Sequence, residues 1–429
     1  MKTSRAIPLV ALATLSILAS SPAAAQQKAA APAERLVQGM SVDRLGRIAG
    51  AMKQQVEAGT FPGAVTVIAR RGQVVHFEAH GYLDAAKTKP MSKDSIFRLA
   101  SMTKAIVTTA AMMLVEEGLF KINDPIARWL PELKDLKVEV TKKNADGTTI
   151  TEDVPARPIT IQDLMRHTSG FFYSNNVSSK RLKEAYEKEN IEASQADISS
   201  DEMLKRLGQI PLAHQPGTSF HYSISTDILG LLLERATKKP LDVLLREMLL
   251  DPLGMNDTAF WVPADKQARL AEVTNGDPLQ PVSKRFCTTQ AEIKKSYLKG
   301  GAGLCGTAED YLKFVQMIGN GGTYQGKRYL SKKTVELMLQ DHLGSMGGST
   351  ASSAGPGYGF GLGFAVRLQD GLGWSAGSKG DAMWGGVFGT SFTIDPREKL
   401  VAVIMTQGGT PRLQSRHLFK NLVYGAMMD

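Results

Sequence analysis

Only two cysteines occur in 429 residues, Cys287 and Cys305. Two thiols alone cannot build a structural zinc site. They could pair in an oxidising compartment or stay as two buried thiols, and the sequence leaves both readings open. Neither has the surroundings that cysteine catalysis needs. Beyond the N-terminal region no stretch reaches 18 uninterrupted apolar residues, so no later membrane-spanning helix is expected. The basic residues are scattered, and no helix-turn-helix, finger or RNA-binding signature occurs, which excludes a nucleic-acid partner. There is no internal repeat. His76 and His80 lie four apart on an expected strand, a span of about 13 Å, too far to chelate one ion directly. His76-Phe77-Glu78 opens like a zinc deaminase motif, but no P-C-x-x-C follows it. No metal and no cofactor are expected.

What is present is ordinary for a folded protein. Hydrophobic residues make up 43% and charged residues 22%, with a formal net charge of +9. The length allows two or three structural units, or one large domain with an insertion. Lys2 and Arg5, then a mostly apolar run over 7–19, then Ala23-Ala24-Ala25 read in order as a secretory signal peptide. Cleavage after Ala25 predicts an exported chain, periplasmic or secreted, with no stable membrane insertion. Residues 26–40 read as a flexible leader.

Hydrophobic periodicity orders the rest. A helix is predicted over 42–58 and strands over 63–81. A nearly all-apolar helix follows over 101–118 and a hairpin over 137–154, turning at Asp146-Gly147. Helices dominate from 159 to 255, including 225–237 and 241–249, and recur at 310–318 and 333–340. The Gly- and Ser-rich stretch 344–357 predicts a mobile surface loop. Strands return at 361–368, 382–395 and 400–406, and a helix closes the chain over 414–427. Strands at both ends with helices between predict an α/β (α+β) fold. One sheet domain would use 41–130 and 300–429, with a mainly helical domain inserted over 131–299.

Two serine motifs compete. In Ser101-Met102-Thr103-Lys104 the serine and lysine share one helix face. The serine lies near the helix start, where the macrodipole favours developing negative charge. Burial and that positive end both favour a neutral Lys104, able to take the serine proton. Ser296-Tyr297-Leu298-Lys299 has the same spacing, but in a polar stretch before Gly300-Gly301. Gly373-Trp374-Ser375-Ala376-Gly377 fits a nucleophile elbow, with Asp395 and His417 following in chain order. An elbow needs a strand before it and a helix after it, and glycine-rich sequence stands on both sides here. It reads as loop.

Five segments together resemble a known family. They are Phe97-Arg98-Leu99-Ala100-Ser101-Met102-Thr103-Lys104, Leu164-Met165-Arg166-His167-Thr168-Ser169-Gly170, Pro216-Gly217-Thr218-Ser219-Phe220-His221-Tyr222-Ser223, Gly300-Gly301-Ala302-Gly303-Leu304 and Trp384-Gly385-Gly386-Val387. In this order they resemble the serine β-lactamase and penicillin-binding-protein superfamily, in the branch of class C β-lactamases and family VIII carboxylesterases. The resemblance implies an antiparallel sheet flanked by helices. It implies Ser101 as the acylated nucleophile, Lys104 holding or relaying its proton, and Tyr222 reaching in as general base or acid. The backbone N–H groups of Ser101 and Val387 would form the oxyanion hole, with Trp384, Gly385 and Gly386 lining the substrate. The turn His167-Thr168-Ser169-Gly170 looks structural.

The departures shift the expected substrate. Ile224 stands where class C enzymes carry the asparagine of Y-x-N, and Trp384-Gly385-Gly386 stands where they carry K-T-G. Tryptophan cannot recognise a carboxylate as that lysine does, and offers an apolar wall. Trp-Gly-Gly is similar to the family VIII esterases. The expectation is an exported serine hydrolase of small carboxylic esters. The alternatives are a β-lactamase or D-alanyl-D-alanine carboxypeptidase on the same fold, or a non-catalytic penicillin-recognising protein. The partner would be a small ester or β-lactam-like molecule, and the oligomeric state is open.

Overall fold

The computed structural model describes residues 34–192, 198–293, 297–408 and 412–429. The signal-peptide reading, most of the leader and Ser296 lie outside them. From Arg35 to Asp429 the chain forms one compact unit. Among the described residues no helix is long and apolar enough to cross a membrane.

A seven-stranded antiparallel sheet organises the unit. Its strands are β1 (Gly63–Arg70), β2 (Gln73–Gly81), β3 (Tyr358–Phe360), β4 (Ala365–Arg367), β5 (Ala382–Gly385), β6 (Ser391–Asp395) and β7 (Leu400–Thr406). Their spatial order is β3-β4-β5-β6-β7-β1-β2, so both ends of the sequence meet at the β7–β1 ladder. Both strands of that ladder are buried along their whole length. The pleat sends alternate residues to opposite faces. Val65, Val67 and Ala69 join Val401, Val403 and Met405 in the main core. Ala64 and Ile68 join Leu400, Ala402 and Ile404 in a second core on the other face.

That second core is covered by α1 (Arg47–Glu57), through Ile48, Met52 and Val56, and by the closing helix α5 (Arg412–Gly425), through Phe419 and Val423. Burying each such side chain stabilises the fold by roughly 1.5–3 kcal/mol. The chain ends are zipped together here: Ser41 N–H donates to Ala426 O at 2.8 Å, and Met428 N–H to Gly39 O at 3.0 Å. The other face carries α2 (Thr103–Glu116), α3 (Ser225–Thr237) and α4 (Ala308–Gly319). Helix α4 starts where the Thr307 side chain accepts from Asp310 N–H, a cap worth about 1 kcal/mol. The main core is contiguous from the sheet into the segment 131–299. Within that segment, Lys137–Lys143 and Thr149–Pro155 pair as the expected hairpin, with Gly147 at φ +86° in its turn.

Several expectations change. The helix expected over 42–58 is broken at Gly46 into Val42–Leu45 and α1. The strand expected over 361–368 shortens to β4, which pairs with β3 just before it, because Gly363 turns at φ +85° where a Cβ would overlap Thr108. The strand expected over 382–395 is two strands joined by a turn over 386–390, with Gly389 at φ +96°. The helix expected over 241–249 passes from α-helix into a π-helical turn at Arg246–Leu250. The loop 344–357 contains a short helix, Ala351–Ala354, and is pinned at Gly347, which exchanges backbone hydrogen bonds with Thr218 and Phe220. Cys287 and Cys305 are joined in a disulfide with Cα atoms 5.8 Å apart, closing the pairing left open above.

The two histidines also come closer together than expected. His76 and His80 are four apart on β2, yet their rings lie only 6.4 Å apart. Both side chains lean toward one hydroxyl, Thr66 Oγ1, at 2.8 and 2.9 Å from their Nε2 atoms. Strand rise limits the backbones, not the rings.

Candidate active site

Ser101 sits where extended chain is bent into helix. Phe97–Arg98 pairs with Cys305–Gly306, and the chain then turns through a 3₁₀ segment, Ala100–Met102, before α2 begins at Thr103. The serine was expected on the first turn of an α-helix; it lies in this tighter turn just before it. Ala100 adopts φ +47°, a left-handed conformation that costs an alanine about 1 kcal/mol or more. In 3₁₀ geometry side chains three apart nearly eclipse, which brings Ser101 and Lys104 together.

Lys104 is buried, and its Nζ has three oxygen neighbours: Gly301 O at 2.7 Å, Tyr173 Oη at 3.2 Å and Ser101 Oγ at 3.4 Å. Among the described residues no carboxylate forms an ion pair with it. Its closest partner is a backbone carbonyl, and Gly300-Gly301 explains how one can come so near. A Cβ on Gly301 would overlap the Asp227 carboxylate, and one on Gly300 would overlap Thr226 O. Asp227, on α3, accepts from Gly301 N–H at 3.2 Å and fixes the carbonyl that holds the lysine.

Two tyrosines flank the amine. Lys104 Nζ lies 4.8 Å from the centre of the Tyr222 ring and 5.7 Å from that of Tyr173. The Tyr222 hydroxyl accepts from Trp384 Nε1 at 3.4 Å; the Tyr173 hydroxyl is the phenol in hydrogen-bond contact with the lysine. Burial, reinforced by Tyr222 and Asp227, pushes the Tyr173 phenol well above its usual value. The sequence reading missed Tyr173. Its only signal was a place just after His167-Thr168-Ser169-Gly170, and Phe171-Phe172-Tyr173 reads as core.

The segment that carries Tyr222 is held by the turn His167-Thr168-Ser169-Gly170. His221 N–H donates to His167 O at 2.8 Å, and Ser223 N–H to His167 Nδ1 at 3.3 Å. The hydroxyls of Ser169, Ser225 and Ser223 form a buried chain with steps of 2.7 and 2.6 Å. The His167 ring packs 4.7 Å from that of Tyr222, and burial keeps it neutral by lowering its pKa well below the usual value. Asn176, also missed, ties the two tyrosines. Its Oδ1 accepts from Tyr173 N–H at 3.0 Å, and its Nδ2 donates to Tyr222 O at 2.6 Å.

The third wall is β5 and the turn after it. A Cβ on Gly386 would overlap Leu99 O, so this glycine lets the turn pack against the Ser101 corner and sets Val387 beside it. The Arg416 guanidinium covers Gly385, where any Cβ would overlap it, and donates through Nη2 to Gly386 O. Among the described residues Arg416 has no carboxylate partner, and its Nε is unbonded. Burial, with Arg412 nearby, lowers its pKa. Ser101, Tyr173, Tyr222, Trp384, Val387 and Arg416 all line one cavity of about 860 Å³, a size suited to a small organic ligand.

The rival serine is placed differently. Ser375 lies in a loop between exposed Leu372 and Trp374 and the strand β5. Arg367 Nη2 donates to Ser375 O at 3.0 Å, and His417 packs edge-on against Trp374. Asp395 accepts from Tyr424 Oη at 2.7 Å. No hydrogen bond links Ser375, His417 and Asp395 among the described residues.

The fold and this corner define a serine hydrolase of the β-lactamase and penicillin-binding-protein superfamily. The family model described as beta-lactamase matches residues 48–424, and the chain belongs to that family. It is 35% identical over 362 residues to an uncharacterized protein of Mycobacterium tuberculosis, covering 83% of this chain and 88% of the relative. It is 31% identical over 363 residues to esterase EstB of Burkholderia gladioli, covering 80% and 85%. Among solved structures it resembles EstCE1, described as a hydrolase with promiscuous acyltransferase activity. That match has a TM-score of 0.73 and 28% identity, and covers 90% of this chain and 99% of EstCE1.

Proposed function

We propose that this protein hydrolyses small carboxylic esters through an acyl-enzyme on Ser101. The observation that carries the reading is the Lys104 amine, buried, with no carboxylate pair among the described residues and 3.4 Å from Ser101 Oγ. The hydroxyl proton passes to Lys104 as Oγ attacks the ester carbonyl. The tetrahedral oxyanion is held by the backbone N–H groups of Ser101 and Val387, where losing one such donor typically costs about 3 kcal/mol. Collapse expels the alcohol, which takes a proton from the Lys104, Tyr222 and Tyr173 cluster. Water then gives a proton to that cluster, attacks the acyl carbon and releases the acid, restoring the serine hydroxyl. Trp384 supplies an apolar wall, and Gly385 and Gly386 line the cavity beside it. The similarity to an esterase and to a hydrolase with acyltransferase activity supports esters over lactams. The disulfide supports the reading of an exported, oxidised protein.

The test is covalent labelling. A fluorophosphonate adduct is expected on Ser101 and absent from Ser101→Ala. An adduct on Ser375 or Ser296, with Ser101→Ala still active on p-nitrophenyl esters, would overturn the assignment.

A further inference from the structure

Away from the Ser101 cavity, β2 carries three potential metal ligands that the function does not use. His76, Glu78 and His80 alternate along the strand, so all three side chains project to one face. Their cross-strand partners on β1 are Ile68, Thr66 and Ala64, and β2 is the outermost strand of the sheet. Each of the three offers a donor atom within 4.8 Å of the other two. The two imidazoles stack at an interplanar angle of 15°. The buried Thr66 hydroxyl contacts both Nε2 atoms. A hydroxyl has two lone pairs, so Thr66 Oγ1 can accept an N–H from both rings. Both imidazoles then carry their proton on Nε2 and keep Nδ1 free as a ligand atom.

We propose that His76, Glu78 and His80 form a binding site for a divalent transition ion of the zinc, cobalt or nickel type. Two imidazoles and one carboxylate are a donor set for these borderline ions and not for calcium or magnesium. Bond lengths near 2.1 Å place tetrahedral donors about 3.3 Å apart, so side-chain rotations closing roughly 1.5 Å complete the site. Glu78 is half-exposed, supplies the negative charge and opens the site to solvent; its carboxylate lies 3.9 Å from His76 Nδ1. Thr66 is placed to orient the imidazoles from below, as partners behind metal-bound histidines do. Lys93, whose ammonium sits over the Phe77 ring, is the nearby opposing charge. None of these residues lines the Ser101 cavity. The bound ion pins the edge strand and takes no part in ester cleavage.

The experiment uses tag-free protein titrated with CoCl₂, followed by visible absorption, and with ZnCl₂ by calorimetry. One ion per chain is expected, with the strong visible bands of tetrahedral cobalt and a higher Tm. His76→Asn with His80→Asn should weaken binding at least tenfold. Glu78→Gln, at a half-exposed position that leaves the fold intact, should weaken it measurably on its own. Ester kcat should not change with metal or chelator. Equal stoichiometry and affinity in the variants, or no saturable binding below millimolar metal, would overturn the proposal.

Discussion

Ser101 and Ser375 both sit in short patterns known from serine enzymes, and the molecule treats them oppositely. Around Ser101, Lys104 contacts a carbonyl and two hydroxyls, and among the described residues no carboxylate pairs with the amine. Around Ser375 the ordered contacts go to the backbone, whose carbonyl Arg367 holds at 3.0 Å. Arg367 is itself spent on the buried Asp381, which Lys420 also contacts. The difference lies in what remains uncompensated. Reactive chemistry needs a buried donor or base left without its usual counter-charge, and only the first serine has one.

The sharpest way to break this contrast is to delete each hydroxyl. Ser101→Ala should lower kcat on a short p-nitrophenyl ester by at least about 10⁴-fold, while Ser375→Ala stays within about twofold. Comparable losses in both would end the distinction. Lys104→Met should cost about 10³- to 10⁴-fold in kcat, read in the same assay on protein with unchanged circular dichroism. Tyr173→Phe and Tyr222→Phe should each cost about 10²-fold, and the pair less than the product, because both flank one amine. If Tyr173→Phe is silent, its contact with Lys104 is packing alone.

Smaller effects test the frame around the serine. Replacing both cysteines by serine should lower stability by about 3 kcal/mol in chemical denaturation, the entropy of closing a loop of 18 residues. Asp163 tests pH. Burial raises its pKa, but hydrogen bonds from Thr168, Thr160 and Arg166 more than offset this and hold it below the usual carboxylate range. Its stabilising effect is therefore complete above the unfolded value near 4 and is lost as pH falls toward the folded value. Asp163→Asn should lower Tm at pH 7, with the gap narrowing below pH 4.

Much of this was legible in the sequence because it follows from period and volume. The β1 and β7 strands read as apolar runs, Ser101 and Lys104 could be named from their spacing, and Gly300-Gly301 from the family resemblance. What could not be read depends on contacts distant in sequence. In the run 382–395, Gly386 and Gly389 are local signs of the turn at 386–390, but nothing local says that Gly386 packs on the Leu99 carbonyl, nearly 290 positions away. Tyr173 looked like core because its partner, Lys104, is 69 residues earlier. The paired histidines looked too distant because strand geometry fixes backbones and leaves rings free to meet over a threonine.

The antiparallel ladder between β1 and β7, and the backbone bonds tying residues 39–41 to 426–428, have a kinetic consequence. While the polypeptide is still being synthesised, β1 lacks its second neighbour, β7, until about four hundred residues have been made. Such distant pairings are slow, and the nascent chain waits with an open edge. Completion of this enzyme is thus a late event, tied to the emergence of its last helix, and shortening that helix should arrest maturation rather than trim an ornament.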